Sequence, residues 1–304
     1  MTPGAERRAR GARVARAALA PAGIVLLALA PWWVSPYLTL SLTAALALGL
    51  FALSYDLVLG VTGLISVSHA TLFGVGAYGM AIGMTFSVRT SGPGFIIMTV
   101  IFAHAVESVA NVWTSLTGGE NGIVLGVSRV SLFPGVDVHF TAGSRSAYYA
   151  VAACLGLALW ASRRLVASPF GLALRGIKGN ELRASALGYR VGRYKILVNV
   201  IAGAFAAVGG ILYALSQGFV SVDLLRVLLS IEVIVWTILG GPGTLLGPVL
   251  AAMLMSLGIE YLRAVTHQYV FAIGAITLLV VLFLPQGLGG LIERLLGRSV
   301  EARP

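Results

Sequence analysis

Six ionisable side chains lie within long apolar runs of this sequence, where a carboxylate or an imidazole could pass protons or bind ions. They are Asp56, His69, His104, Glu107, Glu232 and Glu260. His104 and Glu107 are three residues apart, so they share one helix face and can pair with each other. Asp56 and Glu260 lie near the ends of their runs, which favours a structural role. Because the six residues form no compact array, they argue against a proton-coupled carrier.

The sequence lacks the motifs of the common enzyme classes. Its only lysines are Lys178 and Lys195, and neither follows a glycine, so there is no Gly-x-x-x-x-Gly-Lys phosphate cradle for ATP. One cysteine, Cys154, and four scattered histidines offer no zinc or haem spacing. A Gly-x-Ser-x-Gly nucleophile elbow is also missing. We therefore predict no catalytic residue, no metal site and no cofactor of the chain's own.

The composition requires an apolar environment. Of the 304 residues, 58% are hydrophobic and only 11% are charged, and the mean hydropathy is +0.93. Several runs reach the roughly 20 residues that a helix needs to cross a hydrocarbon core. Runs such as 269–284 lack the polar and apolar alternation of barrel strands. The predicted fold class is therefore all-α, a polytopic helical membrane protein.

Nine apolar runs are candidate spans. They are 17–33, 38–59, 66–84, 95–113, 147–162, 196–216, 228–239, 245–262 and 269–284. The run 228–239 is short for a full crossing, which predicts an extended, tilted or re-entrant helix there. We expect about eight or nine transmembrane or re-entrant helices in total.

The basic residues predict the orientation. Sixteen of the 21 fall before the first span, in the loop 163–195 or after the last span. This positive-inside pattern places all three segments in the cytoplasm, and it argues against nucleic acid as a partner. The predicted organisation is a basic N-terminal tail (1–16), a transmembrane domain (17–290) that includes the loop, and a C-terminal tail (291–304).

The orientation also tests the number of spans. An even number must lie between a cytoplasmic N-terminus and the cytoplasmic loop 163–195, but five are predicted there. Four spans follow the loop and return the C-terminus to the cytoplasm. The first half therefore either contains a re-entrant segment or lacks one crossing.

Two similar strings predict a weak internal repeat of the kind that transporters show. "LGVTGLISVSHATLFGVGAYG" (59–79) and "LGGPGTLLGPVLAAMLM" (239–255) each begin with Leu-Gly, place a glycine four residues later and open an apolar run. Small residues let helix backbones approach closely. The glycines assigned to helix packing are Gly63, Gly74, Gly76, Gly241, Gly243 and Gly247.

The central loop "SPFGLALRGIKGNELRASALGYRVGRYK" (168–195) predicts two short helices. The first begins at a Ser168 cap followed by proline, and Gly179 ends it in a left-handed conformation. The second begins at an Asn180 cap and ends at Gly188. A negative charge directly after the Asn180 cap is favourable at the positive end of a helix.

The second of these helices is amphipathic and is surrounded by basic residues. Leu182, Ala186 and Leu187 share one of its faces. From the residues alone, this face could lie on anionic lipid or dock into a groove of a cytoplasmic partner.

Five motifs in order resemble those of the branched-chain amino acid ABC permeases, a family that includes the urea and amide permeases. The likeness is greatest to the LivM/UrtC type. The motifs are "GLISVSHATLFGVGAY" (63–78), "SLTGGENGI" (115–123), the loop 168–195, "SIEVIVWTILGGPGTLLGPVLAA" (230–252) and "LPQGLGGL" (284–291). They cover most of the chain after residue 50. Any one of them is weak evidence, whereas five in order are specific.

The resemblance implies a permease subunit of an ATP-binding cassette importer in the bacterial plasma (inner) membrane. The implied partners are a second homologous permease, two ATPase subunits that use the ATP, a solute-binding protein and membrane lipid. The implied ATPase-coupling residues are Asn180, Glu181, Arg183, Ala186, Leu187 and Gly188. The implied candidates for the translocation pathway are His69, Glu107 and Glu232.

One departure from the family is large. Its members usually carry a further span of about 20 residues near residue 85, where this chain is short. This agrees with the odd number of predicted spans and puts the topology of residues 85–162 in doubt. Two other readings therefore stay open, a stand-alone secondary transporter or channel and an inactive, shortened permease relative.

Overall fold

Helices account for most of the described chain, as the predicted all-α fold class requires. The computed structural model describes residues 27–67, 69–75, 93–125, 128–133, 136–140, 143–266 and 287–290, with isolated positions between 268 and 278. Both predicted tails, Gly76, the shortened region near residue 85 and most of the first and last predicted spans lie outside these residues. The predicted division into tails and a transmembrane domain therefore stays a prediction.

The predicted spans between residues 38 and 262 correspond to helices within a few residues, although only the first half of 66–84 is described. The helices are α1 (27–33), α2 (Pro36–Asp56), α3 (His69–Val75), α4 (Pro93–Val112), α5 (Thr114–Thr117), α6 (Arg145–Ala167), α7 (Pro169–Gly179), α8 (Glu181–Ala186), α9 (Val191–Gln217), α10 (Val227–Gly240) and α11 (Leu246–Val265). Leu57–Val61 continues α2 as a π-helical turn. Four helices of the described chain are long and apolar enough to cross a membrane: α2 with its extension, α6, α9 and α11.

Four short strands were not expected from the sequence. β2 (Ser128–Phe133) and β3 (Val136–Phe140) form an antiparallel hairpin. β1 (Ile123–Val124) pairs in antiparallel fashion with β4 (Phe219–Val220), which joins the connection after α4 to the end of α9. The strands lie in connections between spans, where the apolar periodicity used to find helices carries no signal.

α2 forms the centre of the bundle and packs against α6, α9, α10 and α11. It is apolar on every side, and a helix of that kind is expected to be buried all round. The alanine and glycine residues of α2 let the neighbouring helices come close. At Gly49, for example, an added Cβ would lie 3.1 Å from Val249 Cγ1 of α11.

Contacts at the two ends of α2 define two ends of the bundle. Tyr37, at the start of α2, donates its hydroxyl to Glu260 near the end of α11 (2.9 Å). Asp56, at the end of α2, accepts backbone N–H groups from the turn between α10 and α11, and Lys178 of α7 reaches Gly60 nearby. We call the end with α7 and α8 the coupling end and the opposite one the distal end. α2, α6 and α10 run toward the coupling end, and α9 and α11 run away from it.

α3 and α4 run in the same direction, away from the coupling end. Val67, just before α3, donates its backbone N–H to Thr99 Oγ1 in the first half of α4 (3.3 Å). Ala110, near the end of α4, packs with the short helical segment Val222–Leu225, which α3 also contacts. Two successive helices in one direction account for the odd number of predicted spans. Residues 76–92, which connect them, lie outside the described residues, so the lost helix that the resemblance implies near residue 85 stays a prediction.

An arginine and tryptophan pair lies at each end of α6, with Trp32 coming from α1. The Arg145 guanidinium lies 4.5 Å from the centre of the Trp32 ring, and that of Arg164 lies 5.7 Å from the Trp160 ring. The rise along α6 between the two arginines is about 28 Å at 1.5 Å per residue, close to the thickness of a hydrocarbon core. Aromatic and basic residues at both ends are typical of a spanning helix anchored at two interfaces.

Candidate functional site

Two glycine-containing turns meet at the coupling end. Turn 60–63 follows α2, and turn 241–245 joins α10 to α11. Each of the two similar strings, 59–79 and 239–255, therefore contains a turn at the coupling end. Asp56 connects them: one carboxylate oxygen accepts the N–H of Gly243 (2.6 Å) and the other that of Leu245 (2.9 Å). The Asp56 side chain is fully buried, so these two bonds satisfy its charge away from water.

Glycine is required where these backbones touch. A Cβ at Gly60 would overlap the backbone nitrogen of Gly243, and a Cβ at Gly287 would overlap that of Gly241. A Cβ at Gly289 would lie 2.5 Å from Thr244 Oγ1. The motif after α2, the motif of α10 and α11, and the closing motif of the chain therefore meet at one point.

Turn 241–245 contains a backbone conformation that is unusual for leucine. Gly241 and Gly243 have φ of 90° and 89°, and Leu245 has φ 61° and ψ −47°. The N–H of Leu246 donates to the carbonyl of Thr244 (2.7 Å), so Leu245 is the central residue of a γ-turn of the rare positive-φ form, which is strained. Asp56 holds this turn by accepting the Leu245 N–H.

The two short helices of the central loop form as predicted. Ser168 Oγ accepts the N–H of Gly171 at the start of α7 (3.4 Å), and Asn180 Oδ1 accepts the N–H of Arg183 at the start of α8 (2.8 Å). Gly188 ends α8 with φ 88°. The N–H groups of Gly188 and the next residue bond back into the last turn of α8, which satisfies its free carbonyls.

One prediction about this loop is wrong. Gly179 ends α7 but does not adopt a left-handed conformation; it is the last helical residue, and the chain leaves the helix at Asn180 with φ −161°. The reason is that Asn180 must be extended to cap α8 with its side chain. Asn180 is therefore both the C-cap of α7 and the N-cap of α8, and no left-handed residue is needed between the two helices.

Two lysine contacts anchor the pair of helices to the bundle. Lys178 Nζ of α7 donates to the carbonyl oxygen of Gly60 (2.7 Å). Lys195 Nζ, on a side chain of α9 that is only 7% exposed, forms an ion pair with Glu181 Oε1 of α8 (2.7 Å). Leu174 and Ile177 of α7 are buried. The segment α7–α8 therefore contacts α2 through Lys178 and α9 through Glu181.

The six predicted coupling residues lie together on the outer surface of α8 and its two ends. Asn180, Glu181, Arg183, Ala186, Leu187 and Gly188 are all exposed. Leu182 and Leu187 are 83% and 73% exposed, whereas Ala184 faces inward. The coupling end thus presents a small apolar surface surrounded by basic side chains, and Glu181 is also engaged by Lys195.

The candidate pathway residues lie around the first half of α10 but have separate partners. His69 is fully buried, with its Nε2 2.9 Å from Ser54 Oγ. The next residue, Ala70, donates its N–H to Ser230 of α10 (2.9 Å). His69 therefore occupies a packed position between α2 and α10.

The two glutamates lie on different helices, Glu107 on α4 and Glu232 on α10. The predicted pair forms, since His104 Nδ1 lies 3.3 Å from Glu107 Oε2, and Arg226, just before α10, approaches Glu107 Oε1 at 3.9 Å. Glu232 of α10 is partly buried and interacts electrostatically with Arg263 of α11. A basic partner thus accompanies each carboxylate.

The packing glycines divide into two groups. A Cβ at Gly247 would overlap the carbonyl oxygen of Gly240, which fits the predicted close packing between α10 and α11. Gly63, Gly241 and Gly243 instead provide positive-φ turns, with Gly63 lying under the Lys178 side chain. Gly74 is in α3, and Gly76 lies outside the described residues.

Known proteins match the chain over most of its length. The family model for the permease component of branched-chain amino acid transport systems matches residues 79–284. The high-affinity branched-chain amino acid transport permeases LivM of Salmonella typhimurium and LivM of Escherichia coli are each 27% identical to it, over 79% of this chain and 67% of theirs. The permease BraD of Pseudomonas aeruginosa is 25% identical, over 82% of this chain and 93% of its own. No solved structure matches the chain significantly.

The alignment with the LivM proteins has more positions than the number of residues that this chain contributes to it. It spans 283 positions and covers 79% of the 304 residues here, so these relatives hold residues that have no counterpart in this chain. A loss near residue 85 stays a prediction, since the shortened region lies outside the described residues. The family match covers more than half of the chain. The chain belongs to the permease component family of branched-chain amino acid transport systems.

Proposed function

We propose that this multi-pass membrane protein is the pore-forming permease subunit of a bacterial ABC importer for branched-chain amino acids or related small solutes such as urea and amides. The relatives LivM and BraD, which are permeases of branched-chain amino acid transport, support the first of these substrates. The inner membrane is the proposed location, with the coupling end in the cytoplasm, because the loop 163–195 carries eight of the 21 basic residues.

One observation carries the proposal: an exposed apolar surface on a helix that an ion pair joins to the bundle. Leu182 and Leu187 project from α8, and the Glu181 ion pair with Lys195 fixes that helix to α9. An amphipathic helix that presents such side chains can be inserted into a groove of a partner. A helix lying on lipid would not need an internal anchor of this kind.

The proposed partners are two ATPase subunits, a second homologous permease and a solute-binding protein. The chain carries no phosphate cradle, so ATP is hydrolysed by the ATPase subunits that grip α8 on each permease. In this arrangement His69, Glu107 and Glu232 line or support the pathway. Selectivity rests largely with the binding protein.

The docking surface is tested by Leu182→Ala combined with Leu187→Ala. Full burial of one leucine is worth about 1.5–3 kcal/mol, so truncating both should weaken ATPase association by roughly 100-fold or more. The measurement is the amount of ATPase that co-purifies with the permease in detergent, together with ATP-dependent leucine uptake in proteoliposomes that contain the complete transporter.

Leu157→Ala is the matched control. Leu157 is 66% exposed, similar to the two leucines of α8, but it lies in the middle of α6. We expect it to leave both readouts unchanged. Equal ATPase recovery with the double variant and the wild type would contradict the proposal, and so would leucine uptake by the permease without ATP.

A further inference from the structure

We propose that Lys178 and Asp56 form a latch through which the segment α7–α8 controls the turn between α10 and α11. The latch consists of Lys178, Gly60, Asp56 and turn 241–245. It rests on the proposed function, because it assigns to these residues the transfer of ATPase movement into the bundle. Lys178 and Asp56 are positioning residues, since both act through turn 241–245.

The first step of the latch is the contact of α7 with α2. Lys178 lies along turn 60–63, where a Cβ on Gly63 would be 3.0 Å from Lys178 Cγ. Its Nζ donates to the carbonyl oxygen of Gly60 (2.7 Å). Carbonyls at the end of a helix lack partners within that helix, and a cation is favourable there. Any movement of α7 therefore acts on the last turn of α2.

The second step leads from α2 to turn 241–245. Asp56 lies four residues before Gly60, one helical turn away, and both of its oxygens accept N–H groups from turn 241–245. The Gly60 backbone also touches Gly243 directly. The last turn of α2 thus holds the lysine on one side and the α10–α11 turn on the other.

The third step is the strain held in that turn. Leu245 has φ 61° in a γ-turn, a conformation that persists only when its surroundings enforce it. Loss of the Asp56 bond to its N–H would let Leu245 relax toward a common conformation and change the angle between α10 and α11. Because α10 carries Glu232, a candidate pathway residue, the relaxation would alter the part of the bundle that faces solute.

The variant Lys178→Met tests the latch in the complete transporter with its ATPase and a leucine-loaded binding protein. We expect the ATPase to remain bound, because the Leu182 and Leu187 surface is intact. Stimulation of ATP hydrolysis by the leucine-loaded binding protein should fall at least tenfold, and leucine uptake per ATP should fall with it. Lys178→Arg should restore both, since an arginine can also donate to the Gly60 carbonyl.

Arg175→Met is the control, because it removes the same charge from an exposed position one turn earlier in α7. It should keep normal stimulation. Normal stimulation in Lys178→Met, or an equal loss in Arg175→Met, would overturn the latch. If the ATPase bound neither the wild type nor any variant, the proposed function itself would fail.

A second measurement needs no variant. In the wild-type complex, amide hydrogen exchange at Gly243 and Leu245 should be at least tenfold faster with a non-hydrolysable ATP analogue than without nucleotide. Amides in the middle of α11 should not change. Equal exchange at the two turn amides in both states would show that the Asp56 contact does not open, and the latch would be rejected.

Discussion

Glu260 illustrates how a carboxylate near the end of a span joins two helices. Its Oε1 accepts the Ser41 hydroxyl (2.8 Å) and the Tyr37 hydroxyl (2.9 Å), both from α2. Asp56 does the same at the coupling end with backbone N–H groups. Glu260 and Asp56 therefore have the structural roles that were predicted for them. Their hydrogen bonds connect both ends of α2 to neighbouring parts of the bundle.

The Glu260 contact is predicted to contribute measurably to stability. Ser41 is 5% exposed, and a hydrogen bond to a charged group is worth about 1.5–3 kcal/mol. Ser41→Ala should therefore lower the free energy of unfolding by about 1–2 kcal/mol, measured by denaturant unfolding in detergent micelles. Ser256→Ala is the control, because within the described part of the chain Ser256 bonds to a carbonyl of its own helix (3.1 Å) and not to another helix. An equal effect of both variants would refute this role of Glu260.

Contacts between residues close in the chain were predictable, whereas distant ones were not. The His104 and Glu107 pair follows from helical spacing alone and forms at 3.3 Å. The bond from Lys178 to Gly60 joins residues 118 positions apart, and it depends on which helices are neighbours. A single sequence carries no direct signal for which helices are neighbours. The proximity of Lys178, Gly60 and Asp56 to turn 241–245 could therefore not be predicted.

At the scale of elements, α8 depends on its two ends because it has only six residues. Helices this short are marginal without external support. Asn180 caps its start, Gly188 closes its end, and the Lys195 ion pair fixes it against α9. The docking surface therefore exists only while these contacts hold the helix in place.

Two glycines beside α8 are predicted to respond in opposite ways to alanine. Neither has an atom within 4 Å of an added Cβ, so only backbone conformation differs. Gly188 has φ 88°, and an alanine in the left-handed region costs about 1–2 kcal/mol. Gly179 is helical, where alanine is favoured by up to about 1 kcal/mol. Hydrogen exchange of residues 180–189 should be faster in Gly188→Ala and unchanged or slower in Gly179→Ala.

The variants Gly179→Ala and Gly188→Ala also test whether Gly179 is helical, as the structure shows, or left-handed. If Gly179→Ala loosened residues 180–189 as strongly as Gly188→Ala does, Gly179 would have to adopt the left-handed conformation that the structure does not show. ATPase co-purification offers an independent readout, since only the Gly188 variant should bind less ATPase.

Helices were predictable as elements because a membrane requires about 20 apolar residues for each crossing. The strands were not, since β1 and β4 contain two residues each and pair across a long stretch of chain. The ends of α7 show a further limit. The sequence points to Gly179 as a left-handed end, but the cap of the next helix determined the backbone there.

At the scale of the whole molecule, the two ends of the bundle differ in character. The coupling end gathers the glycine turns, the latch and α8, whereas the distal end holds the Glu107 and Arg226 contact and the β1–β4 pair. This asymmetry fits a protein that receives energy on one side of the membrane and solute on the other.

The orientation is tested by labelling single cysteines. The chain has one native cysteine, so Cys154→Ser provides a background without thiols. Leu182→Cys, at an exposed position of α8, should react with a membrane-impermeant maleimide in inside-out vesicles only. Glu120→Cys, at an exposed position of the distal end, should react in right-side-out vesicles only. The opposite pattern would contradict a cytoplasmic coupling end.

The family was predictable from its ordered motifs, whereas the orientation, which rests on the distribution of basic residues, stays a prediction. The direction of each helix was not predictable, because the positive-inside rule only compares the basic residues on the two sides of the membrane. The structure shows that α3 and α4 run the same way, which fits an odd number of spans in the first half; the loss of a helix between them stays a prediction, because residues 76–92 lie outside the described ones.

The arginine and tryptophan pairs at both ends of α6 have a consequence for the surrounding lipid. A helix pinned at two interfaces about 28 Å apart acts as a ruler for bilayer thickness. In longer-chain lipids the pinned helix would stand more upright, and in shorter-chain lipids it would tilt. Because only Ser168 separates α7 from α6, that tilt would also turn the proposed ATPase-docking segment, and lipid chain length would become a means of tuning transport.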